Sequence, residues 1–202
     1  TPRQRIAAHV GGRLVGHVDH LASSMIRRFY SIHLQNEDTV LDLMSSRYSH
    51  LEDHAGELLG LGMNAEELAD NPALGGHCIH DLNETPRMPF EDGRFQGVIN
   101  TVSFEYLVRP GEVLADIRRI LQPGGVLAIT FSNRFFPPKA IRLWTHLHPM
   151  ERLGWLIQQV QAAGFTDIVT HVEQGLRRNR DDRYADQFPQ MDPLFALVAK
   201  AP

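Results

Sequence analysis

Asp42 stands inside a short apolar run, Val40-Leu41-Asp42-Leu43, and a second run, Leu58-Leu59-Gly60-Leu61, follows it. Both are too short for a helix with a buried face, and both end at turn-like clusters. They read as parallel buried strands, joined by a loop and a short helix that begins near Arg47 and is capped by Ser45 or Ser46. A carboxylate in a core strand is costly unless hydrogen-bond donors meet it. Near the carboxyl end of its strand, Asp42 could meet a ligand, because an α/β sheet binds its ligand there; the plainer alternative is an acid satisfied by local turn amides. A second group with chemical potential is SNRFFPPKAIRLW, residues 132–144. Asn133, Arg134, Lys139 and Trp144 surround a proline pair that stiffens the loop. A guanidinium and an ammonium among aromatics suit a substrate with an anionic group on an apolar body. The competing reading is a lid packed by its aromatics, with solvated charges.

Histidine is frequent, but no metal site is expected. Cys78 and His80 share one face of a strand while His77 takes the other, and neither this group nor His146-Leu147-His148 has a common zinc spacing. There is no G-x-S-x-G elbow, no P-loop and no G-x-G-x-x-G, so hydrolase, nucleotide triphosphatase and dehydrogenase chemistry have little support.

The elements that must position these groups alternate along the chain. Val18, Leu21, Met25, Ile26, Phe29 and Ile32 recur at three- and four-residue steps, which predicts an amphipathic helix over 17–34 behind a loose basic arm at 1–16. Asn64 is a good cap for a short helix at 65–69. A third strand is expected over 77–82, ending in Asp81, and a fourth over 95–102. Pro110 opens a helix running to about Leu121, which Gln122-Pro123-Gly124-Gly125 breaks. A fifth strand at 126–131, a helix at 150–163 closed by Gly164, and strands at 165–172 and 194–199 complete the series. Strands alternating with helices imply a mainly parallel sheet covered on both faces. The 202 residues suffice for one domain with a full core, and 43% hydrophobic with 22% charged residues is ordinary for a globular chain. We divide it into an arm and helix at 1–37 and a domain at 38–202.

The net charge of −4 gives no sign of a nucleic-acid binder. The dense basic patch Arg177-Arg178-Asn179-Arg180 precedes Asp181-Asp182 and reads as a solvated loop. A single cysteine fits a reducing compartment, and no apolar run approaches the roughly 20 residues that span a bilayer. With no signal-peptide stretch at the N-terminus, a cytoplasmic location is the expectation.

The order of elements resembles the class I methyltransferases that use S-adenosylmethionine, in particular the group typified by ubiquinone and phospholipid methylating enzymes. The most specific stretch is MPFEDGRFQGVINTVSFEYLVRPGEVLADIRRILQPGGVLAITF, residues 88–131. It is similar to the family's Pro-Phe turn, fourth strand, helix, Pro-Gly-Gly and fifth strand. GFTDIVTHVE and PLFALVAKA resemble the closing pair, whose seventh strand runs antiparallel between the fifth and sixth. The resemblance covers about 38–201. It implies a single-domain Rossmann-like α/β fold with a seven-stranded, mainly parallel sheet, and S-adenosylmethionine as cofactor.

The cofactor loop departs from the family pattern. Where G-x-G-x-G usually follows the first-strand acid, Met44, Ser46 and Tyr48 stand here. Where the family places a ribose-binding acid at the end of the second strand, this chain has Gly62. Asp81-Leu82 matches the adenine-binding position. The resemblance therefore implies Asp42, Ser45 and Ser46 at the methionine part, Met63 and Asn64 at ribose and adenine, Asp81 and Leu82 at adenine, and Asn100 and Thr101 beside the sulfonium. Tyr106 sits where relatives often carry a histidine; it could orient an acceptor, or be an aromatic packed under the helix. Glu105 is a second candidate base, or a surface acid. Two functions are consistent with these departures. One is methyl transfer to a small molecule through a rebuilt loop. The other is a fold that has lost its cofactor and serves as a binding or regulatory module. Asp42, Asn64 and Asp81 at one sheet edge favour the first.

Overall fold

The computed structural model describes residues 18–51, 53–182 and 184–202. The expected basic arm at 1–16 lies outside the described residues. The elements run α1 (His20–His33), β1 (Val40–Leu43), β2 (Leu58–Gly62), α2 (Ala65–Ala69), β3 (Gly76–Ile79), β4 (Phe95–Thr101), α3 (Pro110–Ile120), β5 (Leu121–Phe131), α4 (Arg142–His146), α5 (Pro149–Ala162), β6 (Thr166–Glu173) and β7 (Leu194–Lys200). A turn of tighter helix at Phe104–Tyr106 follows β4. Among the described residues the strands form one sheet in the order β3-β2-β1-β4-β5-β7-β6. The first five are parallel, and β7 is antiparallel to both β5 and β6. This is the Rossmann-like methyltransferase arrangement. The strand order reverses between β1 and β4, the point at which an open α/β sheet leaves a crevice at its carboxyl ends.

Side-chain alternation sorts the strand residues between two cores. Leu41 and Leu43, Leu127 and Ile129, and Phe195 and Leu197 face α3 and α5, whose Val113, Ile117, Leu156 and Val160 are buried against them. Val40, Ile99, Ala128 and Ala196 face the other way, onto Ile26, Phe29 and Tyr30 of α1. The 3.6-residue stripe read in α1 is thus the cover of one sheet face. Asp19 starts this helix, its carboxylate accepting from the amides of Leu21 and Ala22. Among the described helices, none is long and apolar enough to cross a membrane.

Three local expectations are corrected. No helix forms near Arg47 among the described residues. The loop's polar groups are drawn sideways instead: the Ser45 amide donates to Leu61 O at 2.8 Å, and Asn71 Nδ2 donates to Ser46 O at 2.8 Å. β3 ends at Ile79, leaving Asp81 in the following turn. The stretch Gln122-Pro123-Gly124-Gly125 does end α3, but it lies within β5, whose pairing slips from Phe95↔Leu121 to Gly97↔Val126. Gly124 takes the left-handed conformation at φ 77° there, which lets a bulge absorb the extra residues. The short helix α4 was not expected.

The basic patch is also not the solvated loop that its composition suggested. Arg178 is only 5% exposed. Its Nη2 lies 3.3 Å from Asp19 Oδ2 and 3.1 Å from Asp192 Oδ1, and its Nη1 lies 3.4 Å from Asp182 Oδ2. Asp19 and Asp192 also accept from each other's backbone amides. The segment between β6 and β7 is thereby tied to the start of α1.

Candidate functional site

A cavity of about 660 Å³ opens at the carboxyl ends of β1, β2 and β4. Asp42, next to last in β1, is on the α1 face of the sheet and almost wholly buried. Its Oδ2 accepts from Ser45 Oγ at 2.9 Å. Burial pushes its carboxyl up to about 6, while the Ser45 and Ser49 hydroxyls pull the other way. The acid is therefore partly satisfied by its own loop and still contributes to the cavity wall.

The altered loop has a geometric explanation. Met44 itself adopts the left-handed conformation, φ 60°, that a glycine would supply. Its side chain and that of Tyr48, which is 50% exposed, join the wall without closing the cavity. The position that admits no side chain is Gly62 in β2. A Cβ on Gly62 would stand 2.5 Å from the carbonyl oxygen of Ser45, so the strand position that relatives give to an acid has no room for a side chain. Gly62→Asp should therefore lower stability by about 1–3 kcal/mol, as overpacking does, and should not restore a ribose contact. Urea unfolding and ligand titration of the variant check this; unchanged stability would mean that the loop gives way freely.

Met63 and Asn64 follow at the wall. Asn64 Oδ1 accepts from the amides of Glu66 at 3.1 Å and Glu67 at 3.3 Å, capping α2, so what it can offer a ligand is its amide N–H. Asp81 and Leu82 also line the cavity. Asp81 Oδ1 accepts from the Asn83 amide at 2.8 Å, which holds the turn after β3. Asn83, not singled out from the sequence, bridges this turn to the acceptor side by donating to Tyr106 O at 3.0 Å and accepting from the Val108 amide at 2.9 Å.

β4 splits the next pair. Thr101 lines the cavity, its hydroxyl 2.7 Å from Tyr30 OH. Asn100 does not: it points to the opposite sheet face, where its Nδ2 donates to Leu43 O at 3.1 Å and Ser103 Oγ at 2.8 Å. It braces β1 against β4 from below the cleft, which corrects its expected place beside the sulfonium. The reason is strand alternation, since neighbours cannot face the same side.

Tyr106 is in the wall, and its hydroxyl accepts from the Phe136 amide at 3.0 Å. Burial and the neighbouring Glu105 push its hydroxyl up to about 12, so it stays protonated. Glu105 is neither a surface acid nor a cleft group. It is fully buried, and burial raises it to about 7 against the pull of its own backbone amide, Arg152 and Tyr106. Of Asn133, Arg134, Lys139 and Trp144, Lys139 alone lines the cavity, with its Nζ 5.3 Å from the centre of the ring of Phe136, which lines it too. Arg134 is turned away to Asp192, with Nε 3.0 Å from Oδ1, and Asn133 is exposed outside the cleft. Trp144 is fully buried between Phe131 and Trp155, where it packs α4 down rather than meeting a substrate.

One wall was missed from the sequence. His20, Ser23 and Arg27 of α1 line the cavity. Their spacing of three and four residues marks a polar stripe beside the apolar one, a signal that was present but was read only for its apolar half. Among the described residues, no three His, Cys, Asp or Glu side chains converge as a metal site.

Comparison with known proteins agrees with this fold. The family described as "Methyltransferase domain" matches residues 46–129. No curated protein sequence matches the chain. Solved structures with the same fold include an S-adenosylmethionine-dependent methyltransferase from Archaeoglobus fulgidus, at TM-score 0.65 and 17% identity over 89% of this chain and 93% of that one. Another, an S-adenosylmethionine-dependent methyltransferase from Mesorhizobium loti, has TM-score 0.63 and 15% identity over 92% of this chain and 100% of that one. A third is a cyclase, SpnF, at TM-score 0.63 and 16% identity over 89% and 81%. At such identities the structural likeness is one of fold.

Proposed function

From the premise that the resemblance to class I S-adenosylmethionine-dependent methyltransferases holds in the matched domain and in the fold, we propose that this chain binds S-adenosylmethionine in the cleft and transfers its methyl group to a small molecule. The observation that carries the reading is the cavity at the strand-order reversal, lined by Asp42, Asn64 and Asp81 together. Its volume of about 660 Å³ suits a cofactor-sized ligand. Asp42, Ser45 and Ser46 would hold the methionine part, Met63 and Asn64 the ribose and adenine, and Asp81 with Leu82 the adenine. Thr101, held by Tyr30, would border the reacting end.

When bound, the cofactor supplies an electrophilic methyl on a sulfonium, and its displacement needs alignment and exclusion of water more than a strong base. Tyr106, protonated and fixed by the Phe136 amide, orients an acceptor by hydrogen bonding. The segment carrying Phe136 and Lys139 shields the acceptor side. The buried Asp42 carboxylate would supply negative charge to the cationic methionine part.

The same fold in a cyclase shows that fold alone does not fix chemistry, and Met44 and Tyr48 in the wall favour, as a second reading, a module that binds without methyl transfer. Calorimetric titration with S-adenosylmethionine and S-adenosylhomocysteine separates them. Micromolar binding that weakens in Asp81→Ala supports the first reading, and no binding by folded protein at millimolar ligand sinks it. With its carboxyl near 6, Asp42 is mostly ionised at pH 7 and mostly protonated at pH 5. Affinity for the cationic S-adenosylmethionine should therefore fall about tenfold from pH 7 to pH 5, and Asp42→Asn should flatten that dependence. The same fall in the variant would assign the effect to another group.

A further inference from the structure

Two residues other than glycine take the left-handed conformation in the cavity wall, Met44 at φ 60° and Val102 at φ 48°. Val102 is β-branched, and for such a side chain a positive φ is a strained state. The two stand at matching places, just beyond β1 and just beyond β4, the neighbouring strands between which the order of the sheet reverses. A strained residue persists only where the structure around it fixes the backbone. The sheet holds part of each turn: the Ser45 amide donates to Leu61 O at 2.8 Å, and the Val102 amide to Thr130 O at 2.8 Å. The remaining side of each turn meets one side chain. Asn100 pairs with Leu43 across the β1–β4 ladder. Its Nδ2 donates to Leu43 O, just before Met44, at 3.1 Å and to Ser103 Oγ, just after Val102, at 2.8 Å. Asn100 is fully buried, and its Oδ1 has no hydrogen-bond partner among the described residues. A buried amide with an unmet oxygen is an unfavourable way to fill space, so its two donors are what it contributes there.

We infer that Asn100 is a positioning residue for the cleft: its single amide clamps both strained turns and so holds Met44 and Val102 in the conformations that shape the ligand site. It acts through these turns and not by contact, since it is outside the cavity wall. Without the clamp, each turn relieves its strain by leaving the left-handed region. The apparent affinity then falls by the fraction of molecules that keep the strained geometry. Val102 also leads into the helical turn Phe104–Tyr106, so the same clamp governs where Tyr106 stands. This rests on the proposed function in taking S-adenosylhomocysteine as a ligand of the cleft.

The test is calorimetric titration of the full chain with S-adenosylhomocysteine. Asn100→Ala should bind about tenfold more weakly than the parent. Adding Met44→Gly and Val102→Gly to it should recover the affinity to within about threefold, because glycine takes the left-handed conformation without strain. Adding Met44→Ala and Val102→Ala instead should recover nothing, because alanine shortens the side chains and keeps the strain. No fall in Asn100→Ala, a fall that neither pair repairs, or one that both pairs repair equally would overturn the assignment. Ser103→Ala is a milder change that releases the Val102 turn alone, and it decides the matter if Asn100→Ala does not fold. Its loss of affinity should be repaired by Val102→Gly and not by Met44→Gly; no loss, or the reverse pattern, would overturn the clamp. If the folded parent does not bind S-adenosylhomocysteine, the methyltransferase reading falls and the clamp is read by amide hydrogen exchange. In the same variants, the amides released from the clamp (Ser45 and Val102 in Asn100→Ala, Val102 alone in Ser103→Ala) should then speed up about tenfold more than that of Val198 in β7. Equal acceleration at all three amides, or none, would overturn it.

Discussion

Arg178→Met should lower the unfolding free energy by about 3–5 kcal/mol, the cost of removing one partner from a buried ion-pair network. Arg178 is 5% exposed and meets Asp19, Asp182 and Asp192. Asp19 and Asp192 are themselves buried, so the substitution strands two carboxylates that can neither reach water nor find another full partner. Arg134 stays near Asp192, with its Nε 3.0 Å away, but no second cation meets Asp19 in the described network. Asp19 also caps α1, so the damage reaches the helix that covers one sheet face and lines the cleft. Urea midpoints measure the loss, and Arg180→Met, at an exposed neighbour, should stay within about 0.5 kcal/mol of the parent. Equal effects at the two positions would show that the network contributes nothing beyond surface charge.

The second large effect is at Glu105 and depends on pH. The carboxyl is raised from 4.5 to about 7, first by burial. Below the unfolded value both states carry the proton. Between the unfolded and the folded value the native state keeps a proton that the unfolded chain has released, so native stability falls as pH rises through that window. Above about 7 the native state holds a buried charge, and the deficit levels off. A displacement of this size corresponds to about 3 kcal/mol. Glu105→Gln keeps the shape and removes the charge. The variant should match the parent near pH 4.5 and be about 3 kcal/mol more stable at pH 8. Unfolding curves at intervals between those limits check it. A gap that does not grow with pH would show that the backbone amide, Arg152 and Tyr106 beside the carboxylate compensate its charge in full.

Much of the fold was legible because it rests on local periodicity. The spacing of Ile26, Phe29 and Tyr30 on α1 and of Val113, Ile117 and Ile120 on α3 is a helical stripe wherever the helix docks. The apolar runs of β1, β2, β4, β5 and β7 are strands because both of their faces are covered. Asp42, Asn64 and Asp81 could be placed at one edge because parallel strands joined by right-handed crossovers bring their carboxyl ends together. The loop after β1 was misread as helical because its polar partners, Leu61 O and Asn71 Nδ2, lie on other elements.

By itself, then, the sequence determined the alternation of strands and helices, the acids at the carboxyl ends of the sheet and the methyltransferase-like order, all properties of near neighbours and of chain direction. Tertiary structure decided which of those side chains meet in the cleft. Thr101 faces it and Asn100 does not, through a pleat whose phase relative to the site depends on the packing of both sheet faces. Gly62 is a glycine because a carbonyl from the adjacent loop occupies the place of its side chain. Arg134 stays out of the cleft because Asp192 captures it, while Arg27 of α1 is in the cleft wall. Arg178 is buried because Asp19, far away along the chain, folds back to meet it. Each of these depends on a contact between distant segments, and such contacts come into being only when the sheet is assembled.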